Sequence, residues 1–145
     1  APIRTQISIA ELFTDLKKLF PEEEFQFEVP SPELKLNVDR AQIEQILINL
    51  LKNAREACSR KSDKKIQVKA RKLSAGNTTL TISDNGEGIL PDVLDKIFVP
   101  FFTTKTSGSG IGLSLCKQIM TLHEGSINVK SEVGKGSSFI LTFPK

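Results

Sequence analysis

Apolar residues recur along this chain at two spacings, every three to four positions in some stretches and every second position in others. Ser8-Ile9-Ala10-Glu11 puts a hydroxyl at a helix N-cap with Glu three positions later. This capping box opens a short amphipathic helix that ends near Phe20-Pro21. Phe25, Phe27 and Val29 alternate with polar residues as a strand does; Pro30-Ser31-Pro32 turns the chain, and Leu34 to Val38 reads as a second extended piece. Asp39 and Gln42 form another capping box. They head the longest helix, whose apolar stripe of Ile43, Ile46, Leu47, Leu50, Ala54 and Ala57 runs out near Ser59. Ile66/Val68/Ala70 and Leu80/Ile82 are alternating runs joined by Ser74-Ala75-Gly76-Asn77, a hairpin. A glycine-broken region from Asp84 to Gly112 holds one short helical stretch around Asp92 to Ile97. A second amphipathic helix follows from about Gly110 to Leu122. Ile127/Val129 and Phe139/Leu141/Phe143 close the chain as strands across Gly134-Lys135-Gly136. This order predicts a two-layer α/β sandwich, with a mixed, mostly antiparallel sheet of about five strands covered on one face by about three helices.

Length and composition narrow the class. At 145 residues, 39% hydrophobic and 26% charged, the chain suits a single globular domain over residues 1–145 and excludes a disordered tail or fibrous repeat. Uncharged runs such as Ile46 to Leu51 fall far short of the ~20 residues of a membrane span, so no direct membrane contact is expected. The chain opens Ala1-Pro2-Ile3-Arg4 without Met and reads as a piece of something longer. A net charge of +3 is too mild to point to nucleic acid. The basic residues crowded between Arg60 and Lys72 interleave with Ile66, Val68 and Ala70, as on the solvated face of a strand. Cys58 and Cys116 belong to no CxxC or Cys/His cluster, which suits buried packing in a reducing compartment and gives no indication of zinc.

The chemistry concentrates in the glycine-broken region. Thr81-Ile82-Ser83 runs straight into Asp84-Asn85-Gly86-Glu87-Gly88-Ile89, and Gly108-Ser109-Gly110-Ile111-Gly112-Leu113 opens a helix further on. Glycines admit backbone N–H groups close to an anion, and a helix N-terminus adds its positive end. Two such clusters flanking one loop suggest a nucleotide pocket with a lid. No GxxxxGK[ST] is present, and the second cluster is GxGxG after a loop, not the dinucleotide GxGxxG after a strand. Asn49 and Asn53 lie one helical turn apart on the margin of the apolar stripe. A carboxamide oxygen there can ligate Mg²⁺ without setting a negative charge against a polyphosphate; two ordinary surface Asn is the alternative.

Taken together, these segments resemble the catalytic, ATP-binding domain of sensor histidine kinases, within the GHKL superfamily shared with gyrase and mismatch-repair ATPases. The resemblance rests on Asn49-Leu50-Leu51-Lys52-Asn53-Ala54, Asp84-Asn85-Gly86-Glu87-Gly88 and Phe98-Val99-Pro100-Phe101-Phe102-Thr103-Thr104-Lys105. It continues through Gly108-Ser109-Gly110-Ile111-Gly112-Leu113, His123-Glu124-Gly125 and Gly134-Lys135-Gly136-Ser137-Ser138-Phe139, in the family's order. It implies a Bergerat-type ATP-binding fold and ATP with Mg²⁺ as cofactors. Asp84 then accepts from the adenine amino group, Ser137 supports the base, and Gly86, Gly88 and Ile89 line its approach. Asn53 holds Mg²⁺, and with Lys105 is an implied catalytic residue. Asn49 also lines the nucleotide, as do Phe101, Thr103, Thr104, Gly108, Ser109, Gly110, Ile111, Gly112 and Leu113. Asn49 stands where ATP-hydrolysing relatives carry a catalytic Glu, which favours transfer over hydrolysis. Glu56 occupies a place that is often basic in the family. Phe98, Phe101 and Phe102 read either as core or as a latch toward a partner domain, and His123 as a packing residue at a helix end.

The implied partners are a dimerisation and phosphoacceptor domain carried elsewhere on the parent, and a response regulator. The parent is expected to be a homodimer and this piece a monomer, cytoplasmic whether or not the parent is membrane-anchored. The rival readings are a serine kinase of the anti-sigma-factor type or an ATPase on the same scaffold, and a non-catalytic domain that binds a nucleotide or a partner.

Overall fold

The computed structural model describes residues 1–102 and 112–145. Its elements in chain order are β1 (Thr5–Ser8), α1 (Ile9–Leu19), β2 (Phe25–Glu28), β3 (Lys35–Val38), α2 (Arg40–Ala57), β4 (Ile66–Lys72) and β5 (Thr78–Asp84). They continue with α3 (Pro91–Leu94), α4 (Gly112–Leu122), β6 (Ser126–Glu132) and β7 (Gly136–Phe143). Both capping boxes form. Ser8 Oγ accepts from the Glu11 N–H at 3.2 Å, and Asp39 Oδ1 accepts from the Gln42 N–H at 3.3 Å. Each satisfies one of the orphan donors of a first helical turn.

The main sheet runs β2-β4-β5-β7-β6. β2 lies parallel to β4 and every other pairing is antiparallel, so the mixed, mostly antiparallel five-stranded sheet is as expected. β3 does not join it. It pairs instead with β1, a strand the sequence pattern does not reveal, because Thr5-Gln6-Ile7-Ser8 turns only Ile7 into the core, against Leu36. α3 is also shorter than its pattern suggests. Pro91 starts it at N1 and Asp95 already caps it, leaving four residues.

One face of the sheet is apolar and carries the helices. Ile66, Val68, Leu80, Ile82, Phe139, Leu141 and Ile127 turn toward it, and α2 lies over β4, β5 and β7 with Leu47, Leu50, Leu51 and Ala54 buried. The other face is polar, with Lys69 and Thr81 in register and an exposed Lys69–Glu28 ion pair at 3.7 Å. Within the basic stretch, Lys69 and Arg71 lie on this solvated strand face, whereas Arg60, Lys61, Lys64 and Lys65 precede β4. Arg55 lies 4.9 Å over the Phe20 ring and 5.3 Å over that of Phe25 and pairs with Glu22, tying the last turns of α2 to β2.

At the opposite end of α2, His123 is 2% exposed. Its Nε2 accepts from the Asp39 N–H at 3.0 Å and its Nδ1 donates to the Ile119 carbonyl at 2.9 Å. A neutral ring protonated on Nδ1 satisfies both bonds. It joins the C-terminus of α4 to the N-cap of α2. His123 is a packing residue, and both of its nitrogens are spent. Cys58 and Cys116 are buried and free. Among the described residues no helix is long and apolar enough to cross a membrane.

Candidate functional site

From Leu80 in β5, Leu141 in β7 and Ile127 in β6 the helix-facing side is apolar until one cross-strand row, where all three strands turn polar together. In the preceding row on that face Ile82 opposes Phe139, which opposes Val129; in the next, Asp84 opposes Ser137, which opposes Ser131. A polar row at one end of a core face cannot be satisfied by apolar helices above it. It needs internal partners or a polar occupant.

Part of that demand is met by backbone. Asp84 Oδ1 accepts from the Gly86 N–H at 2.9 Å, and the Ser137 N–H also donates to the carboxylate. Burial nevertheless pushes the Asp84 carboxyl above its ordinary value, against the pull of those two donors. Ser131 Oγ accepts from the Ile89 N–H at 2.8 Å and lies 3.1 Å from the Gly136 carbonyl and 2.8 Å from Ser137 Oγ. Ser131 was not among the residues singled out from sequence. Its only signal is its position two residues beyond Val129, on the face that Ile127 and Val129 share.

The glycines hold this end of the molecule together. A Cβ at Gly86 would fall 2.5 Å from the Ala57 carbonyl oxygen, where α2 ends, and the Glu87 N–H donates to that same oxygen at 3.2 Å. Gly88 has φ +78° and Gly136 has φ +129°, and a Cβ would strike the carbonyl of Glu132 at the first and of Asp84 at the second. The room these residues leave is filled by this chain itself. Asn85, just before Gly86, accepts from the Lys65 N–H at 2.9 Å and donates to the Asp63 carbonyl at 2.8 Å, clamping the segment after α2.

From Ala57 a single face of α2 leads away from the polar row. Asn53 and Asn49 follow at intervals of four, so this face spans about 12 Å at 1.5 Å per residue. Both Asn are half-buried, as their place on the margin of the stripe predicts. At the far end Asn49 meets the first turn of α4. A Cβ at Gly112 would lie 3.6 Å from Asn49 Oδ1, and Asn49 Nδ2 lies 3.9 Å from Cys116 Sγ, a thiol that burial pushes up to about 11. A polar row therefore lies at one end of the α2 face, and a helix N-terminus at the other.

The remaining sequence-derived residues divide. Ile89 and Leu113 pack against the core from half-buried positions. Phe98 does so too, with Lys117 Nζ 5.6 Å from its ring centroid, whereas Phe101 is 76% exposed at φ +67°. Thr103, Thr104, Lys105, Gly108, Ser109, Gly110 and Ile111 lie outside the described residues. Among the described residues no group of three His, Cys, Asp or Glu could hold a metal ion.

Residues 38–145 match the family described as histidine kinase-, DNA gyrase B- and HSP90-like ATPase. The chain belongs to this family. Sensor histidine kinase ZraS of Salmonella typhimurium (strain LT2) is 39% identical over 110 residues, covering 76% of this chain and 23% of its own length. This chain therefore spans about a quarter of that relative. The nucleotide-free catalytic domain of histidine kinase ThkA is 34% identical with a TM-score of 0.85, covering 98% of this chain and 95% of that one. ThkA in complex with the response regulator TrrA is 30% identical with a TM-score of 0.78, covering 98% of this chain and 42% of the solved one. The two-layer sandwich built here is the fold of histidine kinase catalytic domains.

Proposed function

We propose that this chain is the ATP-binding catalytic domain of a two-component sensor histidine kinase, one unit over residues 1–145. Its task is to hand the γ-phosphate of ATP to a histidine on a separate dimerisation domain. The observation that carries this reading is the polar row of Asp84 and Ser137 at one end of the α2 face and the N-terminus of α4 at the other. About 12 Å of helix between them suits a base at one end and a polyphosphate at the other. Asp84 is an acceptor-only carboxylate held by two backbone donors, so it favours an amino group over a carbonyl at the base edge. That selects adenine over guanine. Ser137 supports the base beside it.

Mg²⁺ suits the same face. It takes few protein ligands and relies on phosphate oxygens and water, so one carboxamide can suffice where no acidic cluster exists among the described residues. Asn53 would be its ligand in this reading, and the ion would supply charge neutralisation for the phosphates. Asn49, at the α4 end, cannot take a proton from water, which disfavours hydrolysis. Transfer breaks the bridging P–O bond, forms a P–N bond to the acceptor imidazole and releases ADP with the bond electrons. The chain contributes positioning and charge to that step. Lys105, Thr103 and Thr104 complete the phosphate end, with the glycines from Gly108 to Gly112. A response regulator then takes the phosphate. The parent acts as a homodimer with its catalytic domains in the cytoplasm.

Calorimetric titration with a non-hydrolysable ATP analogue and with GTP, with and without Mg²⁺, tests the reading. Adenine-selective binding strengthened by Mg²⁺ is expected, followed by labelling of an added phosphoacceptor domain. Selective binding without any transfer would leave a non-catalytic nucleotide domain. No binding under any condition would sink the proposal.

A further inference from the structure

The hydroxyl of Ser131 sits at the meeting point of three segments. It touches the Ile89 N–H at the end of the first glycine box, the Gly136 carbonyl at the start of β7, and the Ser137 hydroxyl in the row with Asp84. A serine hydroxyl has one proton to give and two lone pairs to receive with. The Ile89 N–H can only donate, so it takes one lone pair. The Gly136 carbonyl can only accept, so it takes the proton. One arrangement makes all three contacts hydrogen bonds: Ser137 donates its own proton to the remaining lone pair of Ser131.

The consequence falls on Ser137, which is 6% exposed and directly opposite Asp84. With its proton committed to Ser131, its oxygen shows only lone pairs to whatever lies against the row. Asp84 also shows only lone pairs. Both groups at the base end of the site are then acceptors, matched to a purine that presents an amino group and mismatched to one that presents a carbonyl.

We infer that Ser131 is a positioning residue for base selectivity, which it exerts by fixing the direction of the Ser137 proton. The inference rests on the nucleotide reading above and adds a residue to it. Without the Ser131 acceptor the Ser137 hydroxyl is free to rotate and to donate, and a carbonyl at the base edge becomes acceptable. The conservative Ser131→Thr keeps the hydroxyl; Ser131→Ala removes it.

The test compares the affinities of the whole chain for ADP and inosine diphosphate, which differ in the amino or carbonyl group at that edge. Wild type should prefer ADP. Ser131→Ala should narrow the ADP/IDP ratio about five- to tenfold, the size of one ordinary hydrogen bond, and Ser131→Thr should restore it. In a Ser137→Ala background the same change at Ser131 should leave the ratio where it is, since the two residues act as a unit. Equal loss of both affinities in Ser131→Ala, with the ratio intact, would mean that Ser131 is structural only and would overturn the inference while sparing the nucleotide reading. Wild type that binds neither nucleotide would overturn both. Ser131→Cys, nearly isosteric with a weak donor and acceptor, takes the place of Ser131→Ala if the latter does not fold, with the same narrowing expected and the same result overturning it.

Discussion

Two polar centres sit at opposite ends of α2, one buried and one half-buried, and they are built on different principles. At the N-terminal end His123 spends one nitrogen on the Asp39 N–H and the other on the Ile119 carbonyl. An imidazole has no further polar capacity, so the centre is closed. At the C-terminal end Asp84 receives the Gly86 and Ser137 N–H groups, but a carboxylate can accept about four hydrogen bonds. That centre has capacity to spare, and burial has raised the pKa of the group that holds it. The difference separates a polar group that only holds the fold, sealed from solvent, from a half-buried one that can still take a ligand.

Emptying the closed centre should give the largest effect. His123→Ala leaves a cavity and orphans the Asp39 N–H, so unfolding by urea should show a loss of about 3–5 kcal/mol. Nucleotide affinity of the molecules still folded should stay near wild type. A large loss of affinity without a loss of stability would show that the two ends are not distinct.

The open centre should behave in the opposite way. Asp84→Ala removes an acceptor with full charge, which costs about 1.5–3 kcal/mol of ADP binding, or roughly ten- to a hundredfold in affinity. Its thermal midpoint should move far less than that of His123→Ala. Unchanged affinity would remove Asp84 from the site.

The smallest effect is a slope. The Asp84 carboxyl lies above its ordinary value of 3.8 in the fold, so the unfolded chain releases that proton first as pH rises. The stability that protonated Asp84 contributes is complete below 3.8 and is lost as pH climbs through the folded value. In the ligand-free chain, wild type should therefore lose ground to Asp84→Asn as pH rises across that window, by less than about 1.4 kcal/mol per unit. A difference that grows in favour of wild type would mean that the two backbone donors outweigh burial.

Local chemistry was legible in the sequence where its partners are close along the chain. The boxes at Ser8 and Asp39 form as read, because cap and donor are three residues apart. The half-buried margin that carries Asn49 and Asn53 follows from helical spacing alone. What depends on strand partners was not legible. β1 is recruited by β3 across more than twenty intervening residues and has no alternation of its own. Ser131 gains its role from Ser137 across β6 and β7, and from Ile89 forty-two positions away. The glycine motifs were visible as motifs, but the reason for Gly86, Gly88 and Gly136 was not. The carbonyls that crowd them come from Ala57, Glu132 and Asp84.

That crowding bears on how related chains can decay. A descendant that stopped using nucleotide could discard Asp84 at little structural expense, yet a side chain at Gly136 would still drive into the backbone of β5. Gly86, Gly88 and Gly136 would outlive the activity as a fossil of the fold. A dead member of the family should be diagnosed by its acceptors, not by these three glycines.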